Sequence, residues 1–419
     1  MSGRRRKRRE SGRPRVLVVG DAVVPTGFAR VLHSLLSNLE ERYEFHHLGI
    51  NYRGEAHGCG WEIYPAGADG DFFGTNRLGA LVDQIRPQLV FLLNDPWVLG
   101  NYMGPLRERQ ESLKVLAYSP VDAGPIEPGM VEPLQFLDRF VAYTRYGRRE
   151  IEQAVARVRE HDPGFPFPPM EVIPHGVDTG LFFPYSGGNG APAGDLAAGR
   201  TRARAELFGR PEFEDAWIVL NANRNQPRKR IDVTIKGFAL FARDKPENVR
   251  LYLHMGVEDI GWNVVYLARR HGIEDRLILT ADEKFLPAVP DEVLNRIYNA
   301  CDVGLNTSLG EGWGLVNLEH AATGAAQVVP RHSACEEIWT GSAVLLEPAL
   351  SLTAERILTE GKLVAPEEVA HALEGLYRDP GRLAEMSAAA LAVATRREYR
   401  WSAVAEKWHR LFQEVLAEG

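Results

Sequence analysis

Residues 302–330 read DVGLNTSLGEGWGLVNLEHAATGAAQVVP, and the fold of the whole chain turns on this stretch. An apolar run bounded by polar turn residues makes 302–307 a short buried strand, followed by a turn at 308–310. From Gly312 onward, Trp313, Leu315, Val316, Leu318, Ala321 and Ala322 fit a helix, and Gly324 is a suitable stop. Glu311 then sits at a strand-to-helix junction and Glu319 about two turns along the helix. At such a start the N–H groups of Gly312, Trp313, Gly314 and Leu315 lack acceptors within the helix and carry the positive end of its dipole, which suits a phosphate. A carboxylate at that mouth repels phosphate, so Glu311 is the natural partner of hydroxyl groups, and Glu319 can hold a second set. The pattern predicts a sugar on one side, a ribose on the other and a diphosphate between them. The competing reading is an amphipathic helix with a solvated Glu at each end.

With Gly312 and Gly314 after the first Glu and a strand before it, EGWGLVNLE resembles the E-x7-E signature of retaining glycosyltransferases of the GT-B fold, the glycosyl transferases group 1. The resemblance implies an α/β chain of two Rossmann-like domains. Each would be a doubly wound parallel sheet facing a shared cleft, with a C-terminal helix crossing back to the first domain. It also implies a nucleotide-diphosphate sugar as donor substrate, with no further cofactor.

Composition is compatible with this. A chain of 419 residues, at ~100–200 per domain, makes two or three domains. With 45% hydrophobic and 25% charged residues it has the balance of a soluble globular protein. No apolar run approaches the ~20 residues that span a bilayer, and no apolar segment follows the basic start as in a secretory signal. Cys59, Cys301 and Cys335 are odd in number and far apart, so they form no zinc or redox spacing and are expected as reduced thiols. The expected location is cytoplasmic, at most peripheral to a membrane. The formal charge is −7, but residues 1–15 hold eight basic side chains and one acid, a net of +7 that leaves −14 for the rest. Residues 1–14 are therefore expected to be a disordered basic arm. Residues 4–15 suit peripheral contact with an anionic membrane or with nucleic acid, or have no partner at all.

Taken in order, 15–20 (RVLVVG) is a first buried strand, and a helix follows with Phe28, Val31, Leu32, Leu35, Leu36 and Leu39 on one face. Gly27 lies where that helix begins, a place where a missing Cβ lets a ligand approach the backbone. Related enzymes carry a glycine-rich loop there, which implies a donor-facing role for Gly27, although Thr26 stands where many have a second glycine. Strands at 44–50, 88–93, 113–118 and 139–143 alternate with helical stretches, the mark of a parallel sheet covered on both faces. Loops at the carboxyl ends of such strands bind ligands, which places Asp122 at a cleft, matching the polar residue that contacts donor sugar or acceptor in the family; an ordinary turn Asp is the alternative. EVIPHGVDTGLFFP (171–184) resembles the segment that closes the family's first domain, with Gly176 for a turn, Val177 and Phe182 for packing, and His175 as a hydrogen-bonded turn residue.

Residues 185–200 are rich in Gly, Ala and Pro and read as a linker between a first domain at 15–184, on the acceptor side, and a nucleotide-sugar-binding domain at 201–395. The second domain has strands near 217–221, 250–254, 276–279, 302–306 and 326–329. In NANRNQPRKRIDVTIKGFALFAR (221–243), Arg224 and Lys229 flank a short loop before a helix; an Arg fork and a Lys point charge there make a diphosphate clamp, the role the resemblance also implies, while Arg228 and Arg230 compete for it. Residues 281–299 resemble the loop and helix passing the nucleobase. Residues 396–419 resemble the closing helix, with Trp401, Val404 and Trp408 on its apolar face. No convincing D-x-D stands between a strand and its following loop, so a metal is not expected.

The expected function is thus a retaining, metal-independent transfer of a hexose from a nucleotide sugar to an acceptor hydroxyl on a lipid, polysaccharide or other glycan. Catalytic roles fall to Glu311, Arg224, Lys229 and Asp122, and binding roles to Glu319, Gly27 and the 312–315 backbone. The alternatives are a nucleic-acid-modifying glycosyltransferase that uses the basic arm, an epimerase or phosphorylase on the same fold, and a non-catalytic nucleotide-sugar binder.

Overall fold

The computed structural model describes residues 12–110, 113–185, 195–281, 283–285 and 287–418, without the side chains of 68 and 69. Residues 1–11 of the expected basic arm and 186–194 of the expected linker lie outside the described residues.

Runs such as VLVV at 16–19 and LVFLL at 89–93 are apolar at every position, as strands buried on both faces require. They form the centre of a parallel sheet of β1 (Arg15–Asp21), β2 (Glu44–Ile50), β3 (Glu62–Pro65), β4 (Leu89–Leu93), β5 (Lys114–Ser119), β6 (Arg139–Ala142) and β7 (Met170–Val172), in the order β3-β2-β1-β4-β5-β6-β7. A second parallel sheet holds β8 (Trp217–Asn221), β9 (Val249–Leu253), β10 (Leu277–Leu279), β11 (Val303–Leu305), β12 (Ala326–Pro330) and β13 (Val344–Leu346), in the order β10-β9-β8-β11-β12-β13. An antiparallel hairpin, β14 (Pro348–Thr353) and β15 (Glu360–Val364), follows. In both sheets the winding reverses beside the first strand, between β1 and β4 and between β8 and β11. A ligand crevice opens beyond the carboxyl ends of strands at such a reversal.

Three sequence expectations need correction. The helix after Glu311 begins at Leu315, not Gly312 (it spans Leu315–Ala322), because Gly314 takes φ 87° and turns the chain before the helix can start. The strand before it is only Val303–Leu305; beyond it Asn306 N–H still donates to the Val328 carbonyl (2.9 Å), and Thr307 Oγ donates to the carbonyls of Lys229 and Arg230. The expected linker also ends early. Asp195 accepts from the N–H groups of Ala197 and Ala198 and caps a helix over Leu196–Phe208, which the second domain holds through Arg204 and Asp302.

The last helix, Trp401–Ala417, buries Trp401, Val404, Trp408, Leu411, Phe412 and Val415. Trp408 lies 4.8 Å from the rings of Phe91 and Tyr118, so the helix does cross back to the first sheet. At ~1.5–3 kcal/mol per large buried side chain, that face contributes on the order of 10 kcal/mol before the entropy of ordering the helix. The 171–184 segment clasps its start. Val177 N–H donates to the Tyr399 carbonyl (2.7 Å), and a Cβ on Gly176 would lie 2.6 Å from Trp401. Gly176, expected as a turn residue, is thus needed for close approach. The apolar cores of the two domains join through Val177, Phe182, Trp313 and Trp401.

Candidate active site in the interdomain cleft

Glu311 sits beyond the carboxyl end of β11 and is only 4% exposed. Its Oε1 accepts from Lys229 Nζ (2.5 Å), Ser308 Oγ (2.8 Å) and Asn306 Nδ2 (3.0 Å), while Arg228 Nη1 stands 3.6 Å from Oε2. Burial alone drives a carboxyl toward its neutral form. Here the charges of Lys229 and Arg228, with the bonds from Lys229 and Asn306, overcome it and hold the pKa down to about 2. Glu311 is an ionised acceptor held in one orientation. Its loop is equally fixed: Asn306 also donates to Asn317 (2.9 Å), and Glu311 N–H donates to Ser333 Oγ (3.1 Å). Gly312 lets the first domain come close, since a Cβ there would lie 2.5 Å from Pro120 and 2.9 Å from the Asp122 carboxylate.

The cations of 224–230 separate in space. Lys229 is buried against Glu311; burial depresses its pKa, the Glu311 charge opposing. Arg224 does not join it. It forks onto Asp259 (2.6 and 3.1 Å) on the wall of a cavity of about 920 Å³ that also meets Thr26 and Asn51. Arg228 takes the place beside Glu311 and bridges it to Asp122 across the cleft, with Nε 3.2 Å from Asp122 Oδ2. Arg230 turns away to Asp232 and lies over Trp262.

The first domain contributes carboxylates from the end of β1 and from the loops after β4 and β5. Asp21 accepts from Thr26 Oγ (2.6 Å) and Asn51 (3.1 Å), and burial raises its pKa. Burial, and then the nearby Asp122 charge, push Asp95 up to about 7, with Arg228 opposing. Gly27 opens the helix Gly27–Ser37, capped by Thr26. A Cβ there would meet only Leu315, at an ordinary 3.6 Å, so the protein itself places no steric demand for glycine.

Glu319, 5% exposed, lines a second cavity of about 580 Å³ together with Gly27, Arg30, Tyr298, Leu315 and Val316. Tyr298 donates to Oε2 (3.3 Å), and Arg30 Nε lies 3.4 Å from Oε1. Burial raises its pKa to about 7, the Arg30 charge opposing and Asp291 adding to the rise. With the helix starting at Leu315, the open N–H groups belong to Leu315 and Val316, both on this cavity. The Trp313 side chain is core, 5.4 Å from the rings of His175 and Tyr399. Residues 287–289 line the same cavity, where the nucleobase segment was expected.

His175 is not hydrogen-bonded as expected. Neither ring nitrogen has a partner, the ring packs 4.0 Å from Tyr143, and burial depresses its pKa to about 3. Sequence reasoning missed Asn306, Ser308 and Arg30. Asn306 and Ser308 had a readable signal, polar residues directly after a buried strand. Arg30 had none, since its importance depends on what the other domain brings to it.

Two readings now have independent support. Residues 204–391 match the family model described as Glycosyl transferases group 1. The chain is 28% identical over 337 residues to a D-inositol 3-phosphate glycosyltransferase of Segniliparus rotundus, covering 77% of this chain and 64% of that one. It thus spans less than two thirds of the length of that relative. In three dimensions it resembles sucrose-phosphate synthase from Thermosynechococcus elongatus (TM-score 0.71, 16% identity, 97% of this chain and all of that one). It also resembles Anabaena HepE solved with UDP and glucose (TM-score 0.66, 16% identity, 96% of this chain and all of that one). These likenesses establish the two-domain fold.

Proposed function

Since residues 204–391 belong to the glycosyl transferases group 1, we propose that the protein is a retaining glycosyltransferase that moves a hexose from a nucleotide-diphosphate sugar to an acceptor hydroxyl without needing a metal. The observation that carries this reading is the buried, ionised Glu311, held among Lys229, Arg228, Asn306 and Ser308 where two carboxyl-end crevices meet.

The chemistry follows from those contacts. Oε1 of Glu311 is committed to three donors, and its low pKa makes it a poor base, so it orients sugar hydroxyls rather than attacking carbon or taking a proton. A leaving diphosphate gathers negative charge as the glycosidic bond breaks. Lys229, Arg228 and the open N–H groups of Leu315 and Val316 are the cationic and dipolar groups available to stabilise it, while Arg224, paired with Asp259, lines the larger cavity. The acceptor proton then passes to the leaving phosphate oxygen, a front-face transfer. The cavity beside Glu319 takes the nucleoside, with the carboxylate on the ribose; the cavity of about 920 Å³ takes the acceptor. Asp122 acts through Arg228, which it ties to the first domain. The HepE complex with UDP makes uridine the first base to test.

The test is thermal stability with UDP-, GDP-, ADP- and TDP-sugars, with and without EDTA, followed by product analysis. A ligand specific to the folded state at 100 times its Kd adds ~2.7 kcal/mol, an easily read shift. A shift with one base class that EDTA leaves unchanged, and a product keeping the donor's anomeric configuration by NMR, is expected. No shift with any donor, or an inverted product, overturns the proposal.

A further inference from the structure

Arg30 is the one residue by which the first domain reaches the Glu319 carboxylate among the contacts described. It stands one turn past Gly27 on the first helix, and three contacts fix it. Nη2 donates to Asp291 Oδ1 (2.6 Å), Nε lies 3.4 Å from Glu319 Oε1, and the guanidinium lies over the Phe182 ring at 5.6 Å. Only the first is a full hydrogen bond. At 3.4 Å the approach to Glu319 is a charge contact that leaves the Oε1 lone pairs open to a hydroxyl. Tyr298 donates to the other oxygen, Oε2 (3.3 Å), and Leu315 and Val316, whose N–H groups are open, line the same cavity.

We infer that Arg30 is a positioning residue of the nucleotide site: it holds Glu319 as the charged acceptor that the ribose hydroxyls require, so the ribose contact is complete only while the first domain is docked on the second. The inference rests on the reading of Glu319 as the ribose-binding residue.

A carboxylate accepts from both hydroxyls of a ribose diol, whereas a carboxylic acid gives up part of that capacity to its own O–H. Burial and the Asp291 charge both press Glu319 toward the acid, and Arg30 is the main charge pressing the other way. The other titratable groups on this cavity are Tyr298 and Asp291 from the helix Asp291–Ala300, His33 from the Arg30 helix, His254 after β9, and Asp178 from the clasp segment. Burial depresses both histidines, His254 to about 4, so they stay neutral where Glu319 titrates, and Tyr298 is raised by burial out of that range. The sign is therefore fixed. The raised pKa of Glu319 makes ribose binding weaken as pH falls through about 7, and removing Arg30 moves that limb to higher pH.

The probes are UDP and 2′,3′-dideoxy-UDP, or the same pair built on whichever base the donor panel selects. They are titrated calorimetrically into the full chain from pH 6 to 9. Wild type is compared with Arg30→Ala, Arg30→Gln, Arg30→Lys and Glu319→Ala. We expect Arg30→Ala and Arg30→Gln to bind the ribonucleotide about fivefold more weakly at pH 7, approaching tenfold at about pH 6, with the limb raised by about one unit. Arg30→Lys should keep the wild-type limb, and the dideoxy probe should bind all forms alike without the limb. Should Glu319→Ala erase the ribo/dideoxy preference while both neutral Arg30 variants keep the wild-type limb, the inference is overturned and the ribose reading survives. If Glu319→Ala leaves that preference intact, the ribose reading fails and takes the inference with it. The uncharged polar Gln and the charged Lys keep the comparison valid if Ala at residue 30 destabilises the chain.

Discussion

Replacing Lys229 by Met tests the central contact most directly. Glu311 lies well below its usual pKa, at about 2 instead of 4.5. At ~1.4 kcal/mol per unit, that is roughly 3 kcal/mol of preference for the ionised form in the folded chain. Lys229 is the main contributor, but Ser308 and Asn306 remain on Oε1 and Arg228 stays 3.6 Å from Oε2. Losing one partner of a buried pair costs ~3–5 kcal/mol, and these remaining partners bring the expected loss for Lys229→Met to ~2–3 kcal/mol. For a domain of this size that is a fall of about 5–10 °C in Tm. The sign with pH follows from the depressed pKa. The Glu311 contribution is present above about 4.5 and disappears as pH falls through about 2. The gap between wild type and Lys229→Met should therefore be widest near pH 7 and narrow below pH 4. Urea denaturation at pH 7, 5 and 3.5 reads it, and the double variant Lys229→Met/Glu311→Gln should recover much of the loss, because no buried charge is then left unpaired. A variant within 0.5 kcal/mol of wild type at pH 7, or a double variant whose losses simply add, refutes the reasoning.

Glu319→Ala should weaken nucleotide binding, read as a raised KM for the donor, whereas Glu311→Ala should lower kcat more than it raises KM; steady-state kinetics with the selected donor separates them, and equal small effects on both sink the assignment. Gly176→Ala puts a Cβ 2.6 Å from Trp401, so it should cost ~1–3 kcal/mol by overpacking and expose the last helix to hydrogen exchange before the rest of the chain. Asp302→Asn should be destabilising but functionally silent. Asp302 accepts from Arg204 (2.5 Å) and the Ile218 N–H (2.7 Å), and removing its charge strands a buried arginine for ~3 kcal/mol; a changed donor KM in the folded variant contradicts that.

The second half of the chain was readable for a physical reason. Parallel strands buried on both faces leave continuous apolar runs, and 217–221 and 326–329 fell within a residue of β8 and β12. Short, half-exposed strands such as β3 and β7 leave no such run, nor does the β14–β15 hairpin, and all were missed. At the site, Glu311 follows a strand and Lys229 precedes a helix as the sequence suggests, whereas Glu319 stands about one turn into its helix instead of two. What failed was the sorting of neighbouring cations. Arg224, Arg228 and Arg230 are equivalent as sequence and become distinct only through Asp259, Asp122 and Asp232, partners that the fold supplies. The helix start was misplaced because Gly314 was read as a helical residue, and nothing local announces a left-handed glycine between two apolar neighbours.

The clasp between 176–177 and the last helix bears on how the chain is made. Phe91 and Tyr118 of the first sheet are covered by Trp408, yet the helix that carries Trp408 begins 229 residues after β7 ends. At ~5–20 residues per second of synthesis, the nascent first domain waits roughly 10–45 s with an aromatic face open to water. The ribosome delivers this cover of the first sheet only after the second domain has been made, so a stop codon between residues 172 and 401 leaves Phe91 and Tyr118 without it.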